Sequence, residues 1–179
     1  MDVIEYKNHK EIRRDIEPLY ISAFPEEERP PIEMYFHSFE IEGNELFGFY
    51  IDKTFIGFTS VKIYKDICYF FFLAVKEEYR NRGYGSEILS YLKERYKKYI
   101  LLLCYEEVNT KYPDYPLRKR REELYKRHGF TDNHLLTIEA GVTYQTMKIG
   151  HRDVTYEEYA EIFKLGFDEN AIKYLRKHQ

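Results

Sequence analysis

The stretch that decides the fold is residues 70–89, FFFLAVKEEYRNRGYGSEIL. An apolar run ends at Val75, a charged turn follows, and an amphipathic helix pattern begins beside Gly83 and Gly85. The first backbone N–H groups of a helix have no partner within the helix, and the helix dipole adds positive potential in front of them. A strand, a glycine-rich turn and a helix in this order therefore predict a binding site for an anion such as phosphate.

The turn itself has the spacing Arg80-x-x-Gly83-x-Gly85. Glycines, which lack a Cβ, let a bulky phosphate approach the main chain, and Arg80 and Arg82 add fixed positive charge. A dinucleotide fingerprint needs a third glycine where Ile88 stands, and the Gly-Lys-Ser/Thr of a Walker loop is absent. The turn therefore belongs to another class of phosphate-binding loop.

This turn resembles the acetyl-CoA loop of the GNAT family of N-acetyltransferases, which carries Arg/Gln-x-x-Gly-x-Gly/Ala after a central strand. The resemblance implies that acetyl-CoA is the cosubstrate and that it binds through Arg80, Arg82, Gly83, Tyr84, Gly85 and Ser86. It also implies that the central strand stands apart from its neighbour and lines the acetyl and pantetheine arm with the main chain of Leu73, Ala74 and Val75. A backbone N–H near the end of that strand could then hold the developing oxyanion.

Length, charge and hydropathy narrow the class of protein. At 179 residues and 21.9 kDa the chain fits one domain, which we expect to span 1–179, with a core at 2–149 and a helical tail at 150–179. The formal net charge of −3 gives no indication of a nucleic-acid partner. The longest apolar runs, 67–75 and 99–105, are shorter than the roughly 20 residues that cross a membrane, so no membrane partner is expected.

Cysteine and histidine usage favours a cytoplasmic protein without a metal. Cys68 and Cys104 lie within apolar, strand-like runs, which predicts reduced core residues. The N-terminal segment carries Asp2 and Glu5 and lacks the apolar core of a secretory signal. The six histidines show no metal-ligand spacing, so we expect no metal site.

Apolar periodicity and turn residues predict the order of the elements. The order is a strand (3–6), a helical segment (8–23) with an Asn8 cap and an interruption at Pro18, a helix (32–41), two antiparallel strands (46–51 and 54–63), a strand (67–75), a helix (84–99), a strand (100–105), a loop (106–116), a helix (117–128) and a hairpin (134–139 and 142–149). The continuous apolar runs 67–75 and 100–105, joined by a helix, predict two parallel central strands buried on both faces. Over residues 2–149 this order is similar to the GNAT core, which implies an α/β acyl-CoA N-acyltransferase fold with a mixed, splayed sheet flanked by helices.

The tail adds a capping box, Thr155-x-x-Glu158, and a short helix that ends at Gly166. Asp168 could cap a further helix through Lys177. The tail therefore extends the core with helices, and it could close the acceptor pocket or form a homodimer interface.

A second motif, Tyr125-x-x-x-Gly129-Phe130, resembles the Tyr-x-x-x-Gly-Phe that follows the second central strand in many GNAT enzymes. The resemblance implies that the Tyr125 hydroxyl protonates the departing coenzyme A thiolate. The reaction would be direct attack of a primary amine on the thioester, without a covalent enzyme intermediate.

The amine must lose a proton before it attacks, and a carboxylate can take that proton. Glu106 and Glu107 follow the second central strand with opposite parity, so only one of them can face the splay. Glu106 is nearer the strand and is the candidate base. Asn109 resembles an asparagine that contacts the coenzyme arm in many relatives, although a proline-containing loop follows it here.

The acceptor has no motif of its own. The acidic run 26–28 lies in a loop that borders the acceptor site in GNAT folds, and a negative rim there would favour a cationic amine of a small molecule or a protein. Two other functions remain open: a sensor or pseudoenzyme that binds acetyl-CoA without turnover, and a GNAT enzyme that moves a different acyl group.

Overall fold

A computed structural model describes residues 1–167 and 175–177. The strands are β1 (Asp2–Glu5), β2 (Asn44–Ile51), β3 (Thr54–Tyr64), β4 (Ile67–Val75), β5 (Ile100–Glu106), β6 (Thr131–Glu139), β7 (Val142–Ile149) and β8 (Leu175–Lys177). The α-helices are α1 (Arg13–Ala23), α2 (Ile32–His37), α3 (Tyr84–Arg95), α4 (Tyr115–Arg127) and α5 (Tyr156–Lys164).

One mixed sheet of eight strands runs in the order β1-β2-β3-β4-β5-β7-β6-β8. β4 and β5 are parallel, as the apolar runs predicted, and the remaining neighbours are antiparallel. A parallel pair needs a crossover connection, and α3 supplies it. The predicted α/β fold with helices around a mixed sheet is confirmed.

Helices cover both faces of the sheet because side chains alternate along each strand. Cys68 and Phe70 of β4 point to the face that α3 and α4 cover. Ile67 and Tyr69 point to the opposite face, where α5 packs. α1 and α2 cover the same face as α5, over the outer strands. The central strands are therefore buried on both sides, which explains why their sequences do not alternate with polar residues.

β4 and β5 pair along only part of their length. Their parallel register runs from Ile67 opposite Ile100 to Phe70 opposite Leu103. Beyond that point β4 stays paired with β3 as far as Val75, and β5 stays paired with β7 as far as Glu106. The two central strands therefore part after Phe70 and Leu103. We call the gap between residues 71–75 and residues 104–106 the fork.

A bulge accompanies this separation. The register between β3 and β4 shifts between Ser60 and Val61, opposite Phe71. The consecutive rings of Phe71 and Phe72 then both pack on the face of α1, α2 and α5, with centroids 4.3 Å apart. The bulge re-aims the last part of β4 next to the fork, as bulges near functional sites commonly do.

Several boundaries differ from the sequence-based predictions. α1 continues through Pro18, and a 3-10 turn at Lys10–Ile12 precedes it. The predicted Asn8 cap is wrong, because this turn has His9 at its N-cap and no side-chain cap bond. Glu106 is the last residue of β5 and lies in the strand, whereas the sequence placed it at the start of a loop.

The tail joins the sheet as well as covering it. The capping box at Thr155 and Glu158 is present at the start of α5, as predicted. The predicted helix through Lys177 is wrong at its end, because Leu175–Lys177 form β8 against β6. Asp168, its predicted cap, lies outside the described residues. A three-residue strand carries too little local pattern to be predicted from sequence.

A buried lysine fastens the end of α5 to the sheet. Lys62 of β3 is 2% exposed, and its Nζ donates hydrogen bonds to the carbonyl oxygens of Phe163 at 2.7 Å and Leu165 at 2.8 Å. The Nζ atom also lies 3.6 Å from the centre of the Phe167 ring and 4.4 Å from that of Phe71, and burial lowers the pKa of Lys62. Lys62 therefore provides a hydrogen-bond donor to carbonyls at the C-terminal end of α5, where the helix itself supplies no N–H donor.

We expect Lys62→Met to lower the free energy of unfolding by about 2 kcal/mol, because the buried carbonyls of Phe163 and Leu165 lose a hydrogen-bond donor. Lys97→Met is the matched control: Lys97 is exposed and, among the described residues, has an ion pair with Glu94 alone, so its loss should cost under about 0.5 kcal/mol. Urea unfolding of both variants measures the difference. Equal midpoints for Lys62→Met and wild type would contradict the fastening role.

Candidate active site

The start of α3 presents a row of unpaired amides. Gly83 precedes the helix with φ 90°, a conformation that favours glycine, and the first helical bond runs from Glu87 N to Gly83 O at 3.1 Å. Within the described residues, no acceptor binds the amides of residues 83–86. A Cβ added to Gly83 would meet nothing within 4 Å, so the space in front of these amides is open. The turn therefore fits a phosphate group.

Side chains around the turn fix its shape. Arg80 Nε donates to the Val75 carbonyl oxygen at 3.1 Å, which ties the turn to the end of β4. Asn81, at φ 62°, accepts a hydrogen bond from Arg120 of α4 at 3.1 Å. The Arg82 guanidinium lies 5.5 Å from the centre of the Tyr79 ring. The predicted basic residues are thus gathered at the amides, and part of their bonding capacity remains for a ligand.

The main chain of β4 faces the fork at alternate residues. Lys76 donates its amide to the Ile56 carbonyl oxygen at 2.8 Å, so the amides of Leu73 and Val75 point the other way, into the fork. The groups of Ala74 face β3, since a Cβ on Gly57 would lie 2.4 Å from the Ala74 carbonyl oxygen. Two unpaired strand amides therefore line one wall of the fork.

Tyr125 lies on α4 beneath β5. Its ring packs against Tyr105 at 5.7 Å and Phe130 at 6.3 Å between centroids, and no hydrogen bond to its hydroxyl is found in the described part of the chain. Burial raises the pKa of Tyr125 to about 12, while the Arg121 guanidinium pulls it down and Glu106 raises it. The phenol is therefore neutral, and it is free to donate a hydrogen bond.

The two candidate bases have cationic partners. The Glu106 carboxylate, at the end of β5, accepts a hydrogen bond from Arg121 of α4. Glu107 pairs with Lys111 at 3.3 Å and accepts a hydrogen bond from the Tyr112 hydroxyl at 3.1 Å. The two side chains thus have different partners, and which of them faces the fork stays a prediction.

Asn109 shapes the loop between β5 and α4. Its side-chain oxygen accepts the Lys111 amide, and its carbonyl oxygen accepts the Tyr112 amide, both at 3.1 Å. These bonds lie in the loop itself, and the structure does not bring Asn109 together with the amides of α3. Its predicted contact with the coenzyme arm stays a prediction.

An acidic group lies on the α5 face of the sheet, opposite α3. It combines Glu28 of the predicted acidic run with Tyr144 and Glu139, which the sequence analysis did not identify. Tyr144 of β7, the cross-strand partner of Glu106, donates its hydroxyl proton to Glu28 in the loop between α1 and α2. Glu139 accepts hydrogen bonds from the hydroxyls of Thr137, at 3.2 Å, and Tyr159. We call Glu28, Glu139 and Tyr144 the acidic side of the fork.

Burial raises the pKa of Glu139 to about 7, against the lowering effect of its two hydroxyl donors, and Glu28 raises it further. A chain of hydrogen bonds connects this carboxylate to the fork. The Tyr159 hydroxyl, which donates to Glu139, lies 3.1 Å from the Tyr69 hydroxyl, and the Tyr69 hydroxyl lies 2.8 Å from Cys104 Sγ. Cys68 and Cys104 are free thiols, as predicted. Period-two alternation of Thr137 and Glu139 in a hairpin strand is the sequence signal that could have located this side.

Residues 1–167 and 175–177 contain no group of three or more His, Cys, Asp or Glu placed to hold a metal ion. None of the described helices combines the length and the hydrophobicity needed to cross a membrane.

Comparison with solved structures shows the same fold. A Bacteroides thetaiotaomicron protein described as an acetyltransferase of the GNAT family superposes with a TM-score of 0.69 at 22% identity, covering 90% of this chain and 92% of the other. An aminoglycoside 6′-N-acetyltransferase complexed with coenzyme A gives 0.68 at 16%, covering 86% and 100%. A variant of the spermidine N-acetyltransferase of Vibrio cholerae gives 0.63 at 15%, covering 83% and 94%. At these identities the likeness shows the fold alone.

Comparison of the sequence with curated proteins gives no match. The family model "Acetyltransferase (GNAT) family", however, matches residues 10–130, which include β4, the turn, α3, β5 and α4. The matched range thus holds both motifs that the sequence analysis identified. The chain belongs to the GNAT family of acetyl-CoA-dependent N-acetyltransferases.

Proposed function

We propose that this protein transfers the acetyl group of acetyl-CoA to a primary amine by direct attack, acting as one domain. The observation that carries the proposal is the continuity of two unpaired surfaces. The fork begins after Phe70 and Leu103, and the bond from Arg80 to the Val75 carbonyl oxygen ties the end of its β4 wall to the turn that carries the amides of residues 83–86. A long molecule with an acyl arm at one end and a diphosphate further along fits such a path.

The donor substrate, acetyl-CoA, supplies an activated thioester. In this proposal its diphosphate rests on the amides of residues 83–86, with charge from Arg80 and Arg82. The amides of Leu73 and Val75 hold the arm and the developing oxyanion in the fork. Ala74 makes no main-chain hydrogen bond to the arm in this proposal, because its N–H and carbonyl groups pair with β3.

Tyr125 is the proposed acid. The amine nitrogen forms a bond to the acetyl carbon, the carbon–sulfur bond breaks, and the Tyr125 proton moves to sulfur. Against a thiol with an ordinary pKa near 8.5, a phenol with a pKa of about 12 would donate uphill by roughly 3.5 units. The fork reduces that difference, because burial also raises the pKa of the neighbouring Cys104 thiol, and a departing thiolate meets the same desolvation.

The amine's own proton goes to a carboxylate or to water. Glu106 stays the candidate base, and its bond to Arg121 must open or be shared before the carboxylate can take a proton. The same pair places a guanidinium within electrostatic reach of Tyr125. Glu106 therefore has two proposed effects, one on the amine and one on the acid.

The acceptor is proposed to be a cationic amine of a small molecule or a protein. Glu28 and Glu139 form the acidic side of the fork, and neither makes an ion pair with a described residue. A carboxylate that is partly buried without a cation is costly, and an incoming ammonium would offset that cost. This charge arrangement supports the predicted preference for cationic acceptors.

We expect Gly83→Val to weaken coenzyme A binding at least tenfold, because the new side chain fills the space before the amides. Gly141→Val is the matched control: it also has a positive φ, 85°, and open surroundings, but it lies in the turn between β6 and β7. Titration calorimetry measures both affinities. If the two variants bind coenzyme A equally well, the diphosphate does not lie at α3.

We expect Tyr125→Phe to lower kcat roughly tenfold to ten-thousandfold with little change in coenzyme affinity, because only the proton donor is lost. Thiol release from acetyl-CoA with a diamine acceptor measures the rate. Tyr105→Phe, which removes a neighbouring hydroxyl bonded weakly to Glu122 at 3.5 Å, is the control. Unchanged turnover in Tyr125→Phe would rule out the acid role.

The pH dependence gives a separate check on Tyr125. Its folded pKa is about 12, so the phenol keeps its proton over the whole range from about pH 7 to about pH 10. The ratio of wild-type to Tyr125→Phe kcat should therefore stay constant across this range. A ratio that falls toward one as the pH approaches 10 would show that Tyr125 ionises there and would contradict a neutral proton donor.

A further inference from the structure

His128 joins the end of α4 to the first turn of α3. Its backbone N–H donates to the carbonyl oxygens of Leu124, at 3.2 Å, and Tyr125, at 3.0 Å. Its carbonyl oxygen accepts a hydrogen bond from Lys93 of α3 at 2.6 Å. Because the main chain is held from both sides, the half-buried imidazole has a defined position.

That position places the ring beside the proposed diphosphate site. His128 Nε2 lies 3.0 Å from Ser86 Oγ. Ser86 is the third residue of α3, and its amide is one of the four without an acceptor in the described residues. A phosphate oxygen bound to that amide would lie one side chain away from the imidazole.

The charges that act on the free ring are cationic. Burial lowers the pKa of His128, and the ammonium of Lys93 and the guanidinium of Arg127 lower it further. No carboxylate among the described residues faces the ring to oppose them. The positive end of the α3 dipole adds to this effect. His128 is therefore neutral in the free enzyme at neutral pH.

We propose that His128 takes up a proton when the diphosphate of the coenzyme binds at α3, so that coenzyme affinity rises as the pH falls. This rests on the proposed function. An anion at the amides of residues 83–86 reverses the sign of the local electrostatic potential. The Ser86 hydroxyl, in contact with the His128 ring, can bridge between the ring and a phosphate oxygen by hydrogen bonds. The neutral imidazole is favoured in the free protein, and the imidazolium is favoured in the complex with the coenzyme.

The sign of the linkage follows from the two states. Binding raises the pKa of His128 above its value in the free enzyme. Between those two values the complex holds more protons than the free protein, and binding takes up a fraction of a proton there. The dissociation constant should therefore decrease as the pH falls through this window and level off once the free enzyme is protonated.

The experiment uses dephospho-coenzyme A and the whole chain. Coenzyme A itself has a 3′-phosphate whose second pKa lies near 6, and its titration would mask the effect. Calorimetry near pH 6.5 in two buffers with different ionisation enthalpies measures the protons taken up. We expect net uptake of a fraction of a proton, and a dissociation constant on the order of threefold to tenfold tighter at about pH 6 than at about pH 8.

Two variants make the result specific. His128→Gln keeps a polar contact to Ser86 without a titrating group and should abolish both the uptake and the pH dependence. His134→Gln is the control, because His134 is 73% exposed on β6 and pairs with Asp153 at 3.1 Å. It should behave as wild type.

Each outcome decides. Uptake in wild type that disappears only in His128→Gln supports the proposal. Binding of dephospho-coenzyme A with no proton uptake, or uptake that persists in His128→Gln, overturns it and leaves the coenzyme site in place. Failure of dephospho-coenzyme A to bind, together with equal coenzyme A affinity in Gly83→Val and Gly141→Val, overturns the coenzyme site itself.

Discussion

The separation of β4 from β5 is the constraint on which the site depends. A strand that loses a neighbour exposes amides and carbonyls that must find other partners. Here each central strand keeps its outer neighbour, β3 or β7, so the sheet stays intact while its middle opens. The amides of Leu73 and Val75 can thus serve a ligand while the outer pairings of the sheet persist. An acyl arm can pair with them as a further strand would.

The same turn that ends β4 carries the proposed anion site. Arg80 is bonded to the Val75 carbonyl oxygen, so the last residue of the open strand edge and the first basic residue of the turn move together. Asn81 and Arg120 tie the turn to α4, which carries Tyr125. The two bonds of this short turn therefore link the fork wall, the amides of α3 and the helix that carries the Tyr125 phenol.

The parts that could be predicted from sequence are the local ones. The apolar runs of β4 and β5 and the glycines of the turn are each contiguous in sequence, so their pattern was enough to predict two parallel central strands and the order of strand, turn and helix. The separation of the two strands was expected only from the resemblance to the GNAT family. Glu28 belongs to the acidic run that was predicted to border the acceptor site. Its meeting with Tyr144 and Glu139 was not predicted, because the three residues come from distant segments that come together only through strand register. The roles of Lys62 and β8 were not predicted for the same reason. Lys62 binds a carbonyl about a hundred residues later in the chain, and the three-residue strand β8 is defined by its pairing with β6.

The two faces of the sheet carry charges of opposite sign around the proposed site. The face that carries α3 is positive around the free amides, with Arg80, Arg82, Lys93 and Arg127, whereas the opposite face is negative around Glu28 and Glu139. Cys104 of the fork carries a neutral thiol, and the Tyr125 phenol, the proposed acid, is also neutral, because burial favours both protonated forms. An anionic donor and a cationic acceptor would each be stabilised on its own face and repelled from the other. They would meet only in the fork, where the low local dielectric strengthens every hydrogen bond to the developing oxyanion and sulfur.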